Sequence, residues 1–154
     1  IRQVVLGLSH LHGMSEPHGD LNPNHMLLNS SGEVKLTDFG TSVRPLREEM
    51  RVGCAMALDS WTMFSYLTPL RVLGENEDER RGDIWSLGIV CYELAAGMHP
   101  FAGCSSLPDV YELLVEKPEP RLNEGTHPAW LCDFTAKCLT RDEGKRPETQ
   151  ELLR

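Results

Sequence analysis

Lysine is scarce in this sequence: Lys35, Lys117, Lys137 and Lys145 are the only four, and the formal charge is -8. Phosphate backbones are bound by clustered Lys and Arg, so this balance excludes a nucleic-acid partner. The densest charged run, Glu75-Asn76-Glu77-Asp78-Glu79 with Arg80-Arg81 behind it, reads as a solvated loop. Long apolar runs are also missing. None approaches the roughly 18 residues that a membrane-spanning helix needs, and no signal peptide is visible. The five cysteines, Cys54, Cys91, Cys104, Cys132 and Cys138, contain no C-x-x-C pair and one is left over. That excludes a disulfide scaffold and argues against metal ligation, and it places the chain in a reducing compartment, cytoplasmic or nuclear. Internal repeats and low-complexity tracts are absent as well.

What remains is ordinary globular material. At 154 residues, 40% apolar and 25% charged, the chain can form one domain that buries roughly two-thirds of its unfolded surface. Ile1, Val4, Val5, Leu8 and Leu11 recur at helical spacing and predict an amphipathic helix over residues 1–12, ended by Gly13. Pro17, Gly19 and Pro23 then break the chain. Met26-Leu27-Leu28 and Val34-Lys35-Leu36, separated by Asn29-Ser30-Ser31-Gly32-Glu33, predict a small β-hairpin. From Phe39 to Pro69 periodicity vanishes, the mark of a functional loop.

Ile84, Leu87, Val90, Cys91 and Leu94 then predict a strongly buried helix, with Asp83 as its N-cap and Gly97 as its stop. Further helices are expected at about 107–116 and 129–140, and from Pro147 onward. The chain opens inside one helical pattern and stops inside another, which predicts a piece of a longer protein.

Several short motifs lie along this framework in a particular order. His18-Gly19-Asp20-Leu21-Asn22-Pro23 occupies the breaker-rich loop, and Asp38-Phe39-Gly40 follows the hairpin. Ser65-Tyr66-Leu67-Thr68-Pro69-Leu70 closes the irregular stretch, Asp83-Ile84-Trp85-Ser86-Leu87-Gly88 opens the buried helix, and Arg146-Pro147 stands near the end. Each is weak alone; together they resemble the C-terminal lobe of a eukaryotic protein kinase over nearly the whole chain. The resemblance implies a protein kinase-like α+β fold, with residues 1–154 as a mainly α-helical C-terminal lobe carrying one β-hairpin. It places a catalytic loop at 18–25, a D-F-G segment at 38–40 and an activation segment at 38–70. Phe64-Ser65-Tyr66-Leu67-Thr68-Pro69 and Trp130-Leu131-Cys132-Asp133-Phe134 are similar to MAP kinase kinases and their upstream kinases. No G-x-G-x-x-G occurs, and no lysine lies in a V-A-I-K context, so nothing of the N-terminal lobe is recognisable.

The family reaction is Mg²⁺-ATP-dependent phosphotransfer to protein hydroxyls, which requires positioning and charge neutralisation more than covalent chemistry. By resemblance, Asp20 is the residue that accepts or orients the substrate hydroxyl, and Asp38 the Mg²⁺ ligand; the lesser alternative is that each is a turn residue bonding nearby backbone amides. The other positions depart from the pattern. The family Asn that ligates the second Mg²⁺ is His25 here, and imidazole favours Zn²⁺ or Cu²⁺ over Mg²⁺. No Cys or second His is paired with it, so a zinc site is not expected. The catalytic-loop Lys is Asn22, a neutral group, and loss of one such contact costs roughly 3–4 kcal/mol.

Gly19 replaces an Arg that reads a phosphorylated loop, and Val43 to Asp59 contains no Ser, Thr or Tyr. Met63 stands where Ser/Thr kinases carry a Thr. Leu70 replaces the A-P-E Glu, so that Arg146 must find another acceptor, face water, or stay unpaired at a cost of several kcal/mol if buried. Three readings follow: a pseudokinase scaffold or allosteric partner of an active kinase, a divergent active kinase using Asp20 and Asp38 in a longer parent, or a decayed product. The resemblance makes a MAP kinase the expected protein partner, with ATP and Mg²⁺ as the family cofactors and Asn22, His25 and Asp38 on the cofactor side.

Overall fold

The computed structural model describes residues 1–39, 65–104 and 107–154. Gly40, Cys54, the phosphosite-free stretch and Met63 lie outside them. Helix α1 spans Arg2–Gly13 and buries Val4, Val5, Leu8 and Leu11, the stripe its 3.6-residue spacing marks out. A 3-10 turn over Pro23–His25 leads into the hairpin β1 (Met26–Leu28) and β2 (Val34–Leu36). The strands pair antiparallel with Met26 opposite Leu36 and Leu28 opposite Val34. Asn29 shapes the turn, its side-chain oxygen accepting the amides of Ser31 at 3.0 Å and Glu33 at 2.9 Å. Gln3 pins the hairpin to α1, donating to Gly32 O at 3.0 Å and accepting from Val34 N at 2.8 Å.

Helix α2 is short, Pro69–Val72, and is capped by Thr68. Helix α3, Glu79–Ala96, is the centre of the molecule. Its Leu87 and Cys91 pack with Val4, Val5, Leu8 and Leu21, while Trp85, Ile89 and Val90 pack with Tyr66, Phe101, Val110, Leu114 and Leu139. A helix apolar on more than one face must be buried on both, and α3 is. Its N-cap is Asp78, not Asp83: Asp78 accepts the amide of Arg80 at 3.0 Å, and Asp83 lies one turn inside the helix. Gly97 ends α3 in the left-handed region at φ 72°, as its sequence position predicts.

Beyond α3, helix α4 (Leu107–Tyr111) widens into a π-helical turn over Glu112–Glu116. Arg141 stabilises that turn, donating to Leu114 O at 2.7 Å, to Leu113 O at 3.3 Å and to Lys117 O. Helix α5 spans Ala129–Cys138 and packs on α3 at Gly88, where any Cβ would come within 2.8 Å of Cys138. The chain closes through a 3-10 turn (Glu143–Lys145) and helix α6 (Thr149–Leu152), which packs on α1. Among the described residues no helix is long and apolar enough to cross a membrane. The outcome is the expected one: a mainly helical lobe with one small hairpin.

Candidate functional site

The loop after α1 is held from below by one carboxylate. Asp83 accepts the amide of His18 at 2.7 Å and that of Gly19 at 2.9 Å, and its Oδ2 lies 2.8 Å from His12 Nε2 at the end of α1. Both ends of this contact are buried, His18 at 0% and Asp83 at 2% exposure. Gly19 has φ 83°, a conformation open to glycine and strained for the side chain the resemblance would place there. Leu21 anchors the far side of the loop in the core formed by α1 and α3.

On this base the four sequence-predicted site residues come together, three of them on the loop itself and Asp38 from the end of the hairpin. Asn22 donates from Nδ2 to Asp20 O and to Asp20 Oδ1, each at 3.1 Å, while its Oδ1 caps the following turn by accepting from Asn24 N at 3.0 Å. His25 Nδ1 lies 2.8 Å from Asp20 O and 3.5 Å from Asp20 Oδ2. With hydrogen on Nδ1, the imidazole donates to that carbonyl and turns Nε2 toward Asp38, whose Oδ2 is 3.7 Å away. The imidazole therefore stands between the two carboxylates.

Asp38 is the most open member, its side chain 67% exposed, and its backbone sits at φ 55°. A non-glycine residue in that region is strained, and such strain gathers at functional sites. The rings of His18 and His25 stack at 6.2 Å, and Phe39 meets His18 edge-on at 6.5 Å. Burial pushes the pKa of His18 below its usual value, with Asp83 opposing the shift.

A hard divalent cation asks for several oxygen ligands. Asp38 offers them at the open face. The position the resemblance assigns to a second cation holds an imidazole whose Nδ1 is already bonded to Asp20, and the residues do not fit a second hard ion there. Among the described residues no cluster of three or more His, Cys, Asp or Glu side chains could hold a metal ion.

The segment that closes the irregular stretch is fastened to α3. Tyr66 donates from its hydroxyl to Glu93 at 2.6 Å, and Ser86 donates to Tyr66 O at 2.8 Å. Burial first, then the Glu93 hydrogen bond and charge, push the Tyr66 phenol upward. A narrow groove runs between this segment and the loop, bordered by Asp20, Leu67, Arg71 and Glu79.

Arg146 is where the sequence left an open question. Its side chain is 0% exposed and donates to three carbonyls: Arg81 at 2.7 Å, Thr140 at 3.0 Å and Arg141 at 3.3 Å. Its guanidinium lies 5.4 Å from the centre of the Trp85 ring, and Glu77 Oε2 is 3.9 Å from Nη1. Three residues here escape sequence reading: His12, Glu93 and above all Glu77. The run from Glu75 to Glu79 is not solvated throughout, because the Glu77 side chain is only 1% exposed. No local signal separates Glu77 from Glu75 or Glu79; only packing does.

The whole chain, residues 1–154, matches the protein kinase domain family. It is 35% identical to mitogen-activated protein kinase kinase 2 of Arabidopsis thaliana over 99% of this chain and 42% of that protein. It is 32% identical to mitogen-activated protein kinase kinase SIPKK of Nicotiana tabacum, over 99% of this chain and 43% of that one. Against serine/threonine-protein kinase dst1 of Dictyostelium discoideum it is 31% identical, over 99% of this chain and 20% of that protein. The chain thus spans less than half the length of these curated relatives.

Proposed function

Since this chain belongs to the protein kinase domain family, we propose that it is the C-terminal lobe of a MAP kinase kinase-like protein that binds a protein partner while its own phosphotransfer is impaired. The observation that carries this reading is the imidazole of His25 between Asp20 and Asp38. Transfer of a phosphoryl group needs positive charge arranged around developing negative charge. Here the neutral Asn22 amide is spent on Asp20 and on the following turn, and His25 takes the place of a metal-binding amide. Each loss of a preorganised electrostatic contact is worth roughly 10²–10³ in rate, and two such losses need not add.

Mg²⁺, when bound with ATP, supplies charge neutralisation in the family reaction; in this chain Asp38 is the residue that would hold it. Asn22 keeps the Asp20 carboxylate oriented, and that favours a second reading, a slow kinase using Asp20 as the residue that orients the substrate hydroxyl. The partner that suits the first reading is a MAP kinase, docked on the helices after Pro100 and the segment around Tyr66, in the cytoplasm or nucleus.

The deciding experiment measures Mg²⁺-ATP binding and phosphotransfer in the full-length protein, with and without Asp20→Asn. Nucleotide binding without transfer is expected. Robust transfer that Asp20→Asn abolishes overturns the impaired reading and establishes the slow-kinase one. Failure of the full-length protein to retain any MAP kinase in a pull-down would remove the proposed partner.

A further inference from the structure

Leu70 leaves the α2 segment without an acidic side chain of its own, yet the segment is anchored to a carboxylate seven residues later. Glu77 Oε1 accepts the hydroxyl hydrogen of Thr68 at 2.6 Å and lies 3.3 Å from Arg71 Nε. Its Oε2 faces Arg146 at 3.9 Å and has no hydrogen-bond partner. Thr68 is itself the cap of α2, accepting Arg71 N at 3.2 Å. Gly82 gives the carboxylate room, since a Cβ there would stand 3.0 Å from Glu77 Oε1. One buried carboxyl group therefore joins α2, the first turns of α3 and the arginine delivered from the end of the chain.

A buried carboxylate is costly unless it is paired and hydrogen-bonded, and these contacts come from three separate elements. Remove it, and among the described residues Arg146 loses its one ion-pair partner and keeps only the weaker pull of Glu143, Thr68 loses its acceptor, and Arg71 keeps Glu79, at 2.9 Å on the open side. The carbonyls of residues 81, 140 and 141 still hold Arg146, so the lobe as a whole survives. What loses its anchor is the local piece, Thr68 to Leu73, which forms one wall of the groove beside Asp20. We infer that Glu77 is a positioning residue, substituting for the acid missing at position 70 and fixing α2 beside the groove that Asp20 borders. This goes beyond the binding function proposed above and does not depend on it.

The test is amide hydrogen exchange on the full-length protein, comparing Glu77→Ala and Thr68→Val with the unaltered chain, and Val5→Ala as a control in the opposite core. Thr68→Val keeps the volume but removes the hydroxyl, and with it both the Glu77 contact and the α2 cap, so it sets the largest local opening against which Glu77→Ala is read. The amides of Val72 and Leu73, which donate to Thr68 O and Pro69 O, are the reporters. Local opening predicts about tenfold faster exchange at these amides, with α1 amides unchanged. Val5→Ala should give the converse pattern. An equal rise at the α1 and α2 amides, or no change at Val72 and Leu73, would overturn the inference. Exchange is read without nucleotide or partner, so phosphotransfer by the unaltered protein would sink the proposed function and leave this result standing.

Discussion

Asp83 accepts the backbone amide hydrogen of His18 at 2.7 Å, across 65 residues of sequence. That bond, with those from Gly19 and His12 to the same carboxylate, makes the central helix the support of the loop that carries Asp20, Asn22 and His25. An aspartate buried in mid-helix is expensive by itself; three donors directed at it account for its presence.

Asp83→Ala should therefore cost about 3–5 kcal/mol of stability, because three donors lose a charged acceptor at once. His12→Ala removes one of the three and should cost about 1–3 kcal/mol. Urea denaturation of both variants measures the difference. An Asp83→Ala loss no larger than that of His12→Ala would show that the loop amides draw little from this carboxylate.

Two glycines should respond in opposite directions. Alanine at Gly88 would put its Cβ 2.8 Å from Cys138 Cβ and Leu139 Cγ, forcing α3 and α5 apart at about 1–3 kcal/mol. At Gly13 nothing lies within 4 Å, and alanine in that last helical position should be neutral or stabilising by up to about 1 kcal/mol. Thermal melting separates the two, with each kcal/mol moving the midpoint by about 2–4 °C in a domain of this size.

His99 should make the lobe acid-sensitive. Burial lowers its pKa, Glu93 opposing, and its Nδ1 accepts the amide hydrogen of Phe101 at 3.1 Å, which suits the neutral ring. The folded pKa lies below the unfolded value of 6.5, so the unfolded chain binds the proton more readily. The contribution is fully present above pH 6.5 and is lost as pH falls from there through the folded pKa. Urea midpoints measured from pH 8 to pH 5 should decline, and His99→Gln should flatten part of that decline. His18, lowered chiefly by burial, contributes with the same sign and keeps the variant from being flat. An identical slope in His99→Gln would exclude His99 as the source.

Restoring the two substituted chemical groups should restore the chemistry they replaced. In the full-length protein, His25→Asn frees the position between Asp20 and Asp38 for an oxygen ligand and should raise the number of Mn²⁺ ions bound with nucleotide from one to two, counted by electron paramagnetic resonance. Adding Asn22→Lys should raise phosphotransfer by roughly 10²–10³. A double variant no faster than the parent would place the impairment elsewhere in the protein.

The sequence by itself determined which of the described stretches would be helix and hairpin, because side-chain periodicity and breakers act within a few residues. Val4, Val5, Leu8 and Leu11 form the buried stripe of α1, Gly97 stops α3, and Met26–Leu28 pairs with Val34–Leu36. Motif order was enough to identify the family, and it placed Asp20, Asn22 and His25 in one short loop where contact is almost unavoidable.

The long-range partnerships were decided only by tertiary structure. Asp83 looked like an N-cap and is instead the acceptor for a loop 65 residues away; Asp78 caps the helix. Glu77 looked like one acid among several in a solvated run, and is buried with Thr68, Arg71 and Arg146 around it. The orphaned Arg146 implied by Leu70 found its acceptors in backbone carbonyls, with the Glu77 carboxylate facing it at 3.9 Å. The physical reason is common to all three. A carboxylate carries the same local sequence signal whether it faces water or a guanidinium, and only the packing of α3 against the rest of the chain settles which of the two it meets.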